Sequence, residues 1–423
     1  MKKRLPRLTS LAVVLLILVC AFPAYASKTK LQVIHRAVIH EEWVQRHLEG
    51  FYAENPDIEV EFIWIPTGEY LQKLQVLFAS GTIGDLVEMN PSYNYGYFAK
   101  EGLWTDLEPF IAQDGFDLSP FYPTALDAAR INGTLYMIPF SIHPGVSALF
   151  YNKTLFEKAG VELPTADWTY DDWLAAAKAL TLDTNGDGKI DQYGMQAPIT
   201  WPSIMTVFHS FGGGWIDETG TKSALNTEAS VDAIQWMADL FLKHKVSPWS
   251  SEMVASPFAT GQVATMLGGY WDVAGTANLM QEGMEWEVVT APAGPAGVIT
   301  GPSSFDGYAI PAASKNKEAA WKLIKYMLGD ERLYDYVASG LNPTTNGEIN
   351  SHPDFQGLKG HTTFIKSLDE GNYIPTPMPA NFRAGELRSA VISGLEAILL
   401  GDVPVSDGVK QIDAAVQRVL DRP

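Results

Sequence analysis

Residues 150–191, FYNKTLFEKAGVELPTADWTYDDWLAAAKALTLDTNGDGKID, join a strand end, a capped helix and an acidic loop in one run. Thr169 followed by Asp172 has the spacing of a capping box, in which two side chains satisfy backbone N–H groups that a first helical turn leaves free. Trp173, Ala177 and Leu180 then recur at helical intervals, so a helix starts near Thr169. Upstream, the apolar residues 148–150 end at Tyr151-Asn152-Lys153, and turns at Gly160 and Pro164 lead into the helix. Strand, turn and helix in that order belong to an α/β domain.

The same alternation runs through the first third of the chain. Residues 31–35 and 58–65 read as strands, the second with Ile58, Val60, Phe62 and Trp64 on one face, and residues 43–54 between them carry apolar side chains at helical spacing. A helix over 70–79, a small-residue turn at 81–84 and a short strand over 86–89 continue the order of a parallel sheet. NPSYNYGY, residues 90–97, follows the carboxyl end of that strand, where open α/β sheets place ligands, so Tyr93, Tyr95 and Tyr97 are candidate ligand contacts. The alternative is that such tyrosines pack beneath the next helix. Residues 136–141 read as a further strand, the segment 308–311 as another, and residues 316–328, 387–400 and 406–420 as helices.

Taken together, YNKTLFEKAG, Pro164-Thr165, the aromatic-rich capped helix and the DxNGDGxxD loop resemble the extracellular solute-binding proteins, family 1, of bacterial ABC importers, which are mainly sugar-binding. The likeness extends to residues 81–86, to residues 258–266 with Gly269-Tyr270-Trp271, and to residues 311–327. The resemblance implies a two-lobed α/β fold of the periplasmic-binding-protein-like type II, similar to maltose-binding proteins, with a ligand cleft between lobes joined by hinge crossovers. Residues 27–141 with about 302–345 would form the N-terminal lobe, and about 142–301 with 346–423 the C-terminal one. The chain is long and apolar enough for this, with 423 residues of which 46% are hydrophobic, more than one core usually holds.

The resemblance also implies a site. Trp271, presented after a glycine turn, would stack on a sugar ring, because a pyranose has a C–H face that matches an indole plane and a hydroxyl rim that asks for polar partners. Tyr270 and Asp272 would serve that rim. Trp201 and Gln196 would contribute from the second lobe, Asp306 from the segment returning to the first, and Phe382 and Arg383 from the proline-rich loop NYIPTPMPANFR. His143, near the hinge, reads either as a hydroxyl partner or as a satisfied structural histidine.

Asp183, Asn185, Asp187 and Asp191 occupy positions 1, 3, 5 and 9 of an EF-hand-type loop, with Gly188 at the turn and Lys189 offering its carbonyl. A structural calcium ion fits this spacing. Position 12, however, is Gly194 rather than the closing glutamate, and an Asx-turn-rich surface loop has the same composition. No other cofactor is implied.

Residues 1–26 look like an export leader: Lys2, Lys3, Arg4 and Arg7, an apolar run over 11–19, and Ala24-Tyr25-Ala26 as a cleavage signal. Val19 precedes Cys20 where a lipobox demands a small residue, which argues against a lipid anchor. Cleavage after Ala26 would leave no cysteine, excluding disulfides and thiolate chemistry, and would lower the formal charge from −19 to −23. So acidic a chain repels nucleic acid and anionic membrane and is expected to be a monomer in the periplasm or outside the cell.

The expected function is therefore capture of a sugar, a di- or oligosaccharide, for delivery to membrane permease subunits of an ABC importer, without covalent chemistry. A secreted hydrolase is the competing class, but His40-Glu41-Glu42-Trp43-Val44 misses the zinc motif HExxH at Val44 and no GxSxG occurs. A third reading keeps the binding role with a ligand such as glycerol phosphate, which would require a basic cluster in the cleft.

Overall fold

A computed structural model describes residues 28–37, 40–217, 219–297, 302–369, 374–375 and 383–422. The alternating pattern of the first third becomes a parallel sheet. Strands β1 (Thr29–Ala37), β2 (Ile58–Pro66) and β3 (Leu86–Met89) pair in the order β2-β1-β3, with the helices His40–Glu54 and Tyr70–Ser80 as crossovers. β1 is central, so Leu31, Val33, Ile34, His35 and Arg36 are all buried, whereas the outer β2 keeps alternating exposure.

Strand β4 (Met137–His143) ends the first passage of the chain through this sheet. β5 (Ala148–Asn152) then starts a second, antiparallel sheet, flanked by β6 (Thr265–Gly268) and β7 (Trp286–Thr290) in the order β6-β5-β7. The capping box forms as its spacing requires: Asp172 N donates to Thr169 Oγ1 at 3.2 Å and Thr169 N donates to Asp172 Oδ2 at 2.9 Å. A cap of this kind stabilises a helix by about 1 kcal/mol. The helix that follows, Tyr170–Ala179, docks on the second sheet through fully buried Trp173, whose Nε1 donates to Thr265 Oγ1 at 2.7 Å.

The chain then returns. β8 (Pro302–Ala309) inserts antiparallel between β3 and β4 of the first sheet. It begins six residues before the strand expected at 308, because Ser304 to Asp306 are too polar to read as a strand alone and pair only once β4 is beside them. At the register shift after Asp306, a Cβ on Gly307 would lie 2.5 Å from the Met137 side chain, so the strands can close there only on glycine.

Two lobes result, each with its own core. One core gathers side chains from residues 31–140 and 305–355, the other from residues 149–246 and 387–419. Ile349 and Phe355 pack in the first core, beyond the expected change of lobe at 345. The helix His361–Asp369 is wedged between the lobes: Phe364 joins Phe150 and Trp286, while Ile365 and Leu368 join Ala125 and Ile142. Among the described residues, no helix is long and apolar enough to cross a membrane.

Candidate functional site: an inter-lobe cleft

The carboxyl ends of β1 and β3 meet β8 at a buried charged cluster. Arg36, the last buried residue of β1, pairs with Glu88 (Nη2 to Oε1, 2.5 Å; Nε to Oε2, 2.8 Å) and with Asp306 (Nη2 to Oδ1, 2.6 Å). Asp306 also accepts from Asn90 Nδ2 at 2.9 Å and lies 2.9 Å from His143 Nε2. Glu88 and Asp306 are 0% exposed and Arg36 is 9% exposed. Burial alone would pull the guanidinium pKa down, but the carboxylates of Asp306 and Glu88 more than offset it, holding it above its ordinary value. Tyr93 lies beneath that guanidinium, 5.5 Å from ring centroid to Cζ, and burial raises its hydroxyl pKa.

The opposite wall is set by a glycine turn. Trp271 opens the helix Trp271–Leu279 and remains 36% exposed, an unusual amount for a tryptophan that follows the buried Tyr270. Its indole folds over Gly269, where a Cβ would lie only 2.4 Å from the ring, and meets the His143 ring edge-on with centroids 5.6 Å apart. Asp272 Oδ2 accepts from Gly269 N at 2.9 Å. Burial nevertheless raises the Asp272 carboxyl pKa to about 6, against the pull of that hydrogen bond. A continuous line of contacts, Arg36 to Asp306 to His143 to Trp271, thus crosses from one lobe to the other.

Several expected contacts take other roles. Tyr95 is 1% exposed and donates its hydroxyl to Ala129 O at 2.6 Å, so it is a core residue: Asn94, in the left-handed region at φ 62°, turns the chain inward before it. Tyr270 is 2% exposed, packs edge-on against Phe364, and its hydroxyl lies 3.0 Å from His361 Nδ1. The other His361 nitrogen faces the Asn350 carbonyl at 2.8 Å, a bond that only N–H can make, so Nδ1 is the acceptor and Tyr270 the donor. Asp306 is sealed beneath the cleft and holds Arg36 and His143 in place, where the sequence suggested a ligand contact.

Other candidates keep partial exposure. Tyr93 is half-buried. Trp201 begins the helix Trp201–Ser210 and packs edge-on against Trp215, centroids 5.2 Å apart. Gln196 is half-buried, its N–H donating to Thr265 O at 2.8 Å beside β6. Arg383 precedes the helix Ala384–Leu399 and pairs with Glu386 at 3.4 Å. Phe382 lies outside the described residues.

Sequence reasoning passed over Arg36 and Glu88. The available signal was a charged residue near the carboxyl end of each of two strands of the parallel sheet, a position that a purely structural strand would not need to charge.

The acidic loop is folded on itself. Asp183 accepts from Gly186 N at 2.6 Å and from Gly188 N at 2.7 Å, and Asp191 accepts from Thr184 N at 3.0 Å. Asn185 accepts from Asp187 N and Asp187 from Lys189 N, both at 2.9 Å. These are Asx turns, and among the described residues no three acidic, histidine or cysteine side chains converge as a metal cage.

Comparison with known proteins agrees with this architecture. A Brucella abortus (strain 2308) binding protein is 28% identical over 321 residues, 74% of each chain. The maltotriose-binding protein of Pyrococcus abyssi is 25% identical over 299 residues, 69% of this chain and 61% of the relative. Among solved structures, an ABC substrate-binding protein from Listeria monocytogenes in complex with cycloalternan superposes with a TM-score of 0.81 at 26% identity, covering 92% of this chain and 98% of that one. Residues 37–332, which run from the end of β1 past β8 and include the Trp271 turn, match the model of one family over more than half the chain. The chain belongs to the bacterial extracellular solute-binding proteins.

Proposed function

We propose that this protein captures a carbohydrate, a di- or oligosaccharide, between its two lobes and delivers it to the membrane permease subunits of an ABC importer. The observation that carries this reading is the exposed indole of Trp271 standing opposite a polar floor made by Arg36, Asn90, Tyr93 and His143. An apolar plane facing hydrogen-bonding groups is what a pyranose requires. The names of the Pyrococcus and Listeria proteins, one for maltotriose and one bound to cycloalternan, support a ligand of more than one sugar unit.

Binding works by closure. A ligand touching both lobes stabilises only the closed state, which lets a permease distinguish loaded from empty protein. No covalent step is needed. A glycosidase needs two carboxylic groups flanking the sugar, one of them free to give a proton; Glu88 and Asp306 are both locked onto Arg36, which leaves Asp272 as the one of these cleft carboxyls without such a lock. The protein acts as a monomer in the periplasm or outside the cell, after removal of residues 1–26.

A thermal-shift screen against mono-, di- and oligosaccharides, polyols and glycerol phosphates, with product analysis of each positive, tests this. A ligand at about 100 times its dissociation constant adds roughly 2.7 kcal/mol to the folded state. A stabilising saccharide recovered unchanged is expected; a consumed saccharide would revive the hydrolase, and stabilisation by glycerol phosphate alone would move the ligand out of the sugars.

A further inference from the structure

At the mouth of the cleft, the helix Tyr70–Ser80 and Asn94 of the first lobe face the paired helices Ala384–Leu399 and Val405–Leu420 of the second across a crevice of about 820 Å³. The walls nearly touch: a Cβ on Gly385 would lie 3.0 Å from Leu71 Cδ2, so a molecule in the crevice contacts both lobes. Its volume is that of a small-ligand site.

The charge of this crevice runs against that of the protein. In a chain of formal charge −19, the described residues that line it include three arginines, Arg383, Arg418 and Arg422, against one acid, Glu386. Glu386 is held between Arg383 and Arg422, and Arg418 makes no ion pair among the described residues. A cationic excess therefore remains. The facing wall adds no charge of its own, being lined by Leu71, Gln75 and Asn94.

We propose that this crevice is an outer subsite for an anionic group, so that the ligand is an acidic oligosaccharide: a neutral ring lies against Trp271 and a uronic-acid carboxylate reaches the arginines. The assignment rests on the carbohydrate reading above and narrows its ligand class. The inner floor cannot take the charge, because Glu88 and Asp306 outnumber Arg36 there and already use it. The crevice can. Guanidinium forks match carboxylates through two parallel hydrogen bonds, and Arg422 spends only Nη1 on Glu386. Because Arg418 and Arg422 are exposed, the attraction is screened by salt.

The test is calorimetric titration of the purified protein with galacturonate, glucuronate and mannuronate trisaccharides, their neutral counterparts and phosphorylated disaccharides, at low and at about 0.3 M salt. The readout is the ratio of acidic to neutral affinity, which cancels any general loss of binding in a variant. At low salt an acidic trisaccharide should bind about tenfold tighter than its neutral counterpart, a difference of about 1.4 kcal/mol. High salt should reduce the ratio, Arg418→Gln with Arg422→Gln should bring it close to one, and Arg418→Lys, which keeps the charge but loses the fork, should retain only part of it.

A neutral saccharide that binds as tightly as its acidic counterpart overturns the subsite and leaves the carbohydrate reading intact, as does a ratio that survives in the double glutamine variant. An arginine-dependent gain for phosphorylated sugars alone keeps the anion subsite and replaces the carboxylate by phosphate. Failure of every saccharide to bind overturns the carbohydrate reading and this assignment with it.

Discussion

Asp272→Asn isolates the electrostatic cost stored at the cleft wall. The carboxyl accepts one hydrogen bond, from Gly269 N at 2.9 Å, and burial raises its pKa from 3.8 to about 6. An acid whose pKa is raised on folding contributes stability that is fully present below its unfolded value and lost as pH climbs through its folded one. The window therefore runs from about pH 4 to pH 6, and above it the ionised group is a burden. Two units at about 1.4 kcal/mol each give close to 3 kcal/mol, or roughly 2–3 once the partial exposure of the residue is allowed for. Asparagine keeps the oxygen that Gly269 needs and never ionises. At pH 4 the variant and the parent should unfold at nearly the same urea concentration. At pH 8 the variant should be more stable by roughly 2–3 kcal/mol, or about 4–12 °C in melting temperature for a lobe of this size. The same substitution should weaken saccharide binding, since a group that costs stability in the empty protein is retained for what it does when the cleft is filled. A stability difference that does not change with pH, or a variant weaker than the parent at pH 8, would refute the reasoning, because it would mean that the carboxylate is better satisfied than its burial implies.

Arg36→Met should destabilise the first lobe by about 3–5 kcal/mol in urea titration, since it strands the buried carboxylates of Glu88 and Asp306; a loss below about 1 kcal/mol would show that water reaches them. Gly194→Ala puts a Cβ 2.0 Å from Ala177 O and should cost about 3 kcal/mol or more. By contrast, Gly275→Ala in the helix Trp271–Leu279 meets nothing within 4 Å and should stabilise by about 0.5–1 kcal/mol; equal melting temperatures for these two variants would contradict the packing described. Millimolar calcium should leave the melting temperature unchanged, because the oxygens of Asp183 and Asp191 already accept backbone N–H groups; a rise of several degrees would show that the loop reorganises around an ion.

The sequence determined what local interactions can specify. Thr169 and Asp172 are three residues apart, so their capping box closes within one helical turn whatever surrounds it. The β-α-β order of residues 29–89 follows from hydrophobic period, because each element must bury one face or stripe. The glycine turn before Trp271 is local too, as are the Asx turns from Asp183 to Asp191, although their spacing alone could not separate turn from ion site. Tertiary structure decided the rest. Tyr93 and Tyr95 are two positions apart and chemically the same, yet one lies under Arg36 and the other in the core, because the turn at Asn94 changes which way the chain faces. Arg36 meets Glu88 across 52 positions and Asn90 meets Asp306 across 216, partners that no local pattern pairs. The polar start of β8 becomes a strand only when β4 offers its edge, and Arg383 joins Arg418 and Arg422 only because two C-terminal helices pack side by side opposite the first lobe. Period and capping act over a few residues, whereas a cleft is built from side chains that meet only after both lobes have folded.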